Sequence, residues 1–280
     1  MIPSVALVVT GDIIERGGDF LKGYGTGVKD ENLTATVTGV VQRLNKLVTV
    51  HPYKSRYKGE VGDIVVGKVV EVGNKRWKID IGARQHAVLQ LSAINLPNSE
   101  VRRRSALDEL NMRNFYSEGD IVSVEVQQVY VDGSLALHTR RRYGKLQNGT
   151  LLVVSSSLIK RSPSQLLPFP ELGLELVIGR NGHIWIGPLI TDEHKNAALQ
   201  GVGPTSRGHF HFYGYANEIT MSPTVLRNVA MIRNALNALN VENKSISETN
   251  LREVLARTIT TEPKQMLEPH VIKQITDGLV

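Results

Sequence analysis

The side chains best placed to do chemistry in this chain are cations. Lys75, Arg76 and Lys78 stand in one four-residue stretch, Arg84 and His86 follow, and two arginine runs come later, Arg102-Arg103-Arg104 and Arg140-Arg141-Arg142. Ammonium and guanidinium groups in clusters attract polyanions, phosphate chains above all, because every phosphate neutralised releases condensed counterions. The plainer alternative is a solvated basic face, which is what most charge runs are. Groups that make or break bonds are harder to find. There is no cysteine, which excludes disulfides, thiolate zinc sites and cysteine nucleophiles. His209 and His211 share a side of an extended chain, but two histidines without a third ligand make a poor metal site. No serine sits in a G-x-S-x-G elbow, and no paired acids stand in a motif. The expectation is no catalytic residue, no metal and no cofactor.

Two glycine-rich turns bear on phosphate binding. Gly23–Lys29, GYGTGVK, lacks the G-x-x-x-x-G-K-[ST] spacing and no clear helix follows it, so a turn needing positive φ is the better reading. Gly179-Arg180-Asn181-Gly182 has the form of a turn that lets backbone approach a nucleotide phosphate, with Arg180 in support. A tight β-turn has the same four letters, and both readings stand.

The elements that would carry these residues are mostly strands. With 280 residues, 41% of them hydrophobic and 21% charged, the chain is an ordinary globular sequence of about two domains, with room for a small third. No apolar run approaches the roughly 18 residues of a membrane span, and the opening residues lack a basic leader region. A soluble intracellular protein with no membrane partner is expected. The net charge of +6 is concentrated: Val40–Gln85 holds ten Lys or Arg and four acids, a difference of six.

Gly62–Leu91 reads as three strands. Asp63–Val72 carries Ile64, Val66 and Val70 at even spacing, with Gly67 where a barrel strand coils. After a turn at Gly73-Asn74, Lys75–Ile81 puts Trp77, Ile79 and Ile81 on one face and Arg76, Lys78 and Asp80 on the other. His86–Leu91 is the third. A short helical stretch, Ser105–Phe115, is expected to turn Leu107, Leu110 and Phe115 inward. Ile121–Val131 and Ser134–Thr139 then form a hairpin around Asp132-Gly133. Five strands with a helix between the third and fourth are the layout of an OB-fold barrel.

Before the barrel, Val5–Thr10, Leu33–Gln42 and Leu47–Pro52 are β-rich, the last two joined around Asn45-Lys46. After it, Leu151–Ile159, Leu174–Ile178 and His183–Ile186 are strands, Ser162–Pro170 is a Ser/Pro-rich turn, and Thr191–Gly214 is irregular. The tail is helical: Ser222-Pro223 opens a helix with apolar Val225, Val229, Ile232, Leu236 and Leu239, Ser247–Thr258 is a second, and Pro263–Thr276 is a third, broken near Pro269. The expected class is mainly β with an α/β C-terminal part. The expected divisions are an N-terminal β domain at 1–58, the barrel at 59–145, and a KH-like α/β domain with helical tail at 146–280.

These runs resemble a known family. GDIVVGKVVEVGNKRWKIDIGARQHAVLQLSAINLP and GDIVSVEVQQVYVDGSLALHTRRRYGKLQNG are similar to the S-one-type RNA-binding barrel of the RNA exosome's cap subunits. VIGRNGHIWI is similar to the KH-type domain that follows it, and VVQRLNKLVTVHPYKSRYKGEVGD to the N-terminal β domain before it. The match is to the cap type called ribosomal RNA-processing protein four, in its eukaryotic form, and covers about Leu33 to Leu189. The resemblance implies three caps seated on a hexameric ring of ribonuclease-PH-like subunits, which they stabilise while guiding single-stranded RNA into the pore. It implies that degradation belongs to separate catalytic exonuclease subunits, contacted indirectly, and that the caps work in nucleus, nucleolus and cytoplasm. It also implies RNA contacts at Lys75, Arg76, Lys78, Arg84 and His86 and at the KH turn. The arginine runs at 102–104 and 140–142 would face either RNA or acidic ring subunits. One departure from the family's pattern is visible: the outward position that often carries a stacking aromatic is Lys78, while Trp77 has inward parity. The rivals are a free-standing RNA-binding OB/KH protein in translation or RNA metabolism, and a ribonuclease.

Overall fold

The computed structural model describes residues 7–17, 20–52, 56–94, 106–139, 144–160, 162, 165–189, 221–258 and 261–279. Two units, Met1–Ser55 and Arg56–Val280, are distinguished by their contacts. The arginine runs at 102–104 and 140–142, the stretch 191–214, and His209 and His211 lie outside the described residues.

The first unit is all β. Its strands are β1 (Leu7–Val8), β2 (Ile13–Arg16), β3 (Leu21–Lys22), β4 (Thr26–Lys29), β5 (Asn32–Ala35), β6 (Gly39–Leu44) and β7 (Leu47–Pro52). They form one sheet in the order β1-β6-β7-β3 and a second in the order β2-β5-β4. The β6–β7 hairpin turns at Asn45 with φ 55°, a left-handed position that asparagine tolerates better than most residues. Gly23–Lys29 runs through a turn, with Gly25 at φ 72°, into β4; it is a turn leading to a strand and not a phosphate loop.

The second unit begins with the barrel. Its strands are β8 (Ile64–Gly73), β9 (Arg76–Asp80), β10 (Ala87–Gln90), β11 (Ile121–Val129) and β12 (Leu135–His138). Closure is complete: β8 pairs with β9 and β11, β9 with β10, β10 with β12 in parallel, and β12 with β11. Between β10 and β11 lie α1 (Ala106–Leu110) and α2 (Met112–Phe115). The alternation places Trp77, Ile79, Leu89, Val122, Val124 and Val126 in one core, with Met112, Phe115 and Tyr116 beside them. The Trp77 indole N–H donates to the Tyr116 carbonyl at 2.9 Å, and the ring meets Phe115 and Tyr116 edge-on. Gly67 is required by close approach: a Cβ there would lie 2.4 Å from Ile79 Cγ2.

Several details differ from the sequence pattern. Val65 and Val69 fill the barrel, while Val66 faces away and Val70 is exposed, because β8 is covered on both sides over its first half. Lys75 is not in the strand but at the tip of a two-residue turn, Asn74-Lys75, with φ 57°. Leu110 is exposed rather than inward, since the chain leaves helical geometry at Asn111 and α2 turns Met112 and Phe115 to the core instead.

A short β13 (Lys145–Leu146) adds to the free side of β11. The last sheet, β14 (Thr150–Val153), β15 (Leu166–Phe169), β16 (Leu174–Ile178) and β17 (His183–Pro188), has the order β14-β17-β16-β15 and is antiparallel throughout. β15 occupies part of the stretch expected as a turn. One face packs Leu174, Leu176, Ile184 and Ile186 against α3 (Pro223–Val241), α4 (Glu248–Arg257) and α5 (Pro269–Thr276). Ser222 and Ser247 cap α3 and α4, accepting from Val225 N–H and Asn250 N–H at 3.3 Å each. The other face carries Val177 and Trp185, which pack with Val66 of the barrel.

Candidate nucleic-acid interface

Because Trp77 and Ile79 point into the barrel, Arg76, Lys78 and Asp80 must point out. Neighbouring strands supply what faces them. Glu71 lies directly opposite Lys78 across β8 and β9, and their carboxylate and ammonium meet at 2.7 Å. That ammonium holds the Glu71 carboxyl below the usual carboxylate range, chiefly through this hydrogen bond. Gln90 lies opposite Arg76 on β10. At the turn end, an open groove runs between Asn74, Lys75 and Arg76 on one side and Gln90, Leu91 and Ser92 on the other. Glu109 of α1 lines the same groove and pairs with Lys75 at 2.9 Å. Arg84 and His86 are exposed in the turn at the opposite end of β9, where the His86 ring stands 4.0 Å from the Asp80 carboxylate. The face thus presents cations with no aromatic ring among Arg76, Lys78 and Asp80, an arrangement suited to charge attraction rather than to stacking.

The turn Gly179–Gly182 is not part of that face. It is packed against the barrel, with Asn181 buried at 5% exposure. Val66 N–H donates to Asn181 Oδ1 at 3.2 Å, and Asn181 Nδ2 donates to the carbonyls of Val66 and Ile81 at 2.8 Å each. The Arg180 backbone N–H donates to the Ile64 carbonyl at 2.9 Å, and its guanidinium donates to the Ile159 carbonyl. His183 Nδ1 lies 2.9 Å from the Val66 carbonyl; since a carbonyl only accepts, that nitrogen carries the proton. Burial lowers the His183 pKa from its ordinary value, and the Val66 bond and the Asp80 charge only partly oppose this. Gly182 has φ 91° and no room for a Cβ, which would lie 2.3 Å from the Val154 carbonyl oxygen. The phosphate-gripping reading of Gly179, Arg180, Asn181 and Gly182 therefore gives way to the structural one: the donors a phosphate would need are turned to backbone of the barrel and of the KH sheet.

Sequence reasoning missed the acids that partner the lysines. The turn expected at Gly73-Asn74 would set Glu71 opposite Arg76; the actual turn at Asn74-Lys75 sets it opposite Lys78. Glu109 was not legible, because its approach depends on the path between β10 and α1. Among the described residues, no three His, Asp or Glu gather as a metal site.

Known proteins bear on this arrangement. Residues 56–128 match the family described as the S1 domain of RRP4, and residues 149–191 match a KH domain. The exosome complex component RRP4 of Bos taurus is 41% identical over 270 residues, covering 96% of this chain and 87% of that one. The protein of the same name from Saccharomyces cerevisiae is 34% identical, covering 98% and 82%. This chain belongs to the RRP4 family of exosome components. An archaeal member, from Thermococcus kodakarensis, is 29% identical and covers 70% of the chain, so the likeness is stronger to these eukaryotic relatives. The RRP4 S1 match takes in Lys75, Arg76, Lys78, Arg84 and His86, and the KH match takes in the whole Gly179–Gly182 turn.

Proposed function

We propose that this RRP4-family chain is a non-catalytic, RNA-binding cap subunit of the exosome. The observation that carries the reading is the row of outward cations on a closed barrel in a chain 41% identical to a named exosome component over nearly its whole length. On this reading Lys75, Arg76, Lys78, Arg84 and His86 line the route of single-stranded RNA into the ring, and the arginines at 102–104 and 140–142 extend it or meet acidic ring subunits. The ribonuclease-PH-like ring subunits and the other caps are the partners, with the N-terminal β domain (1–58) and the flanks of the barrel (59–145) bridging them. The KH-like domain (146–280) braces the barrel. Catalytic exonucleases act downstream, in nucleus, nucleolus and cytoplasm.

The full chain is expected to bind a labelled oligouridylate weakly and with a steep salt dependence. Lys75→Ala with Lys78→Ala should flatten the slope of log affinity against log salt by up to about two, and Arg76→Ala by up to about one. Unchanged slopes would return these side chains to an ordinary solvated surface. Incubated with the same RNA and Mg²⁺, the chain should leave it intact; turnover abolished by a point change in this chain would overturn the non-catalytic reading. Affinity purification at moderate salt should bring down ring and cap subunits.

A further inference from the structure

Two lysines at the barrel face, Lys75 and Lys78, are each already occupied, while a third, Lys68, is exposed opposite Asp80. Lys78 is held by Glu71 at 2.7 Å and Lys75 by Glu109 at 2.9 Å, with the acids drawn from different elements, β8 and α1. Arg76, between them in sequence, forms no ion pair with any described residue. Glu71 is fixed opposite Lys78 by strand register, and Glu109 stands in the groove that Lys75 and Arg76 line. An RNA phosphate reaching either ammonium must therefore displace a carboxylate.

We propose that Glu71 and Glu109 compete with RNA phosphate for Lys78 and Lys75, keeping the grip of the barrel face loose enough for a strand to slide. This rests on the reading of the face as an RNA surface and adds residues that oppose binding to those that support it. Both pairs are solvent-exposed, with side chains 34–62% accessible, and such pairs contribute only about 0–1 kcal/mol. A phosphate chain, which gains by counterion release, can open them, but each opening offsets part of the gain. Arg76 and Arg84 are left as anchors with no carboxylate among the described residues hydrogen-bonded to them, although the Arg76 charge also acts on Glu71. A surface that threads RNA needs this balance, because a strand held tightly at every phosphate does not move.

The test uses the full chain, a fluorescein-labelled oligouridylate of about 20 nucleotides, and a KCl series. Glu71→Gln and Glu109→Gln should each tighten binding about two- to fivefold, and the double variant should approach the product because the two pairs share no partner. Glu248→Gln is the control: it frees Arg252 from an exposed pair of 2.9 Å on α4 rather than on the barrel, changes net charge equally, and should alter affinity less than twofold. Melts matching the parent's exclude a gain of affinity from an unfolded basic chain. If the two acid variants bind no better than the parent while Arg76→Ala still weakens binding, the competition is refuted and the RNA surface stands. If Glu248→Gln tightens binding as much as the others, net charge alone is responsible and the proposal is again refuted. If Arg76→Ala has no effect, the RNA surface itself falls.

Discussion

Trp77 is the ring on β9, and because it points inward the outer face of that strand is left without an aromatic surface. Its indole is fully buried and donates to the Tyr116 carbonyl. Trp77→Ala should cost about 3–5 kcal/mol through the cavity left between Phe115 and Tyr116. Trp77→Phe keeps most of the volume, loses the N–H bond, and should cost less, about 1–3 kcal/mol. Denaturant melts with tryptophan-independent detection check both. RNA affinity of the folded Trp77→Phe chain should match the parent, and a drop would mean that the ring reaches the strand. At this scale the sequence was informative where alternation is strict. Trp77, Ile79 and Ile81 share a parity that admits one face only, whereas Lys75 was placed one position wrong because a turn residue at φ 57° leaves no mark in a lysine.

Between elements, the Gly179–Gly182 turn carries the larger lesson. G-x-x-G describes a backbone that allows close approach, and says nothing of whether a phosphate or a neighbouring strand approaches. Here the approach is by β8 and the end of β9: Asn181 satisfies three buried backbone groups at once. A signal was present elsewhere in the chain. Ile64-Val65-Val66 is a consecutive apolar run, which a strand solvated on one face does not need and a strand covered on both faces does. Asn181→Ala strands the Val66 N–H and the Ile81 carbonyl in the contact between barrel and KH sheet, at about 1–3 kcal/mol for each. The expected loss is about 2–4 kcal/mol by chemical denaturation, with salt-dependent RNA binding unaltered in the fraction that remains folded. A loss under about 0.5 kcal/mol would mean that water reaches these groups as readily as Asn181 does.

Across the whole molecule, the excess positive charge sits between Val40 and Gln85, yet Glu15 and Glu109 from outside that window offset part of it at Arg43 and Lys75, and the contact that locks barrel to KH sheet is built on a neutral histidine. That neutrality gives the fold a pH dependence of definite sign. Half-buried and donating from Nδ1 to the Val66 carbonyl, His183 takes up a proton in the folded chain only at a pH below its ordinary value of 6.5. Above that value the ring is neutral whether the chain is folded or not, and its contribution to stability is constant. As pH falls below about 6.5 the unfolded chain gains a proton that the folded chain refuses, so stability declines until the lowered folded-state pKa is reached. One proton limits the slope to about 1.4 kcal/mol per pH unit. His183→Gln retains a side-chain donor for Val66 and removes the titration. Melts of parent and variant between pH 7.5 and 5.5 should therefore show the parent's stability falling relative to the variant as the pH drops. A difference that stays constant across that range would mean His183 is as free to protonate in the fold as in water, and the contact is then wetter than its geometry indicates.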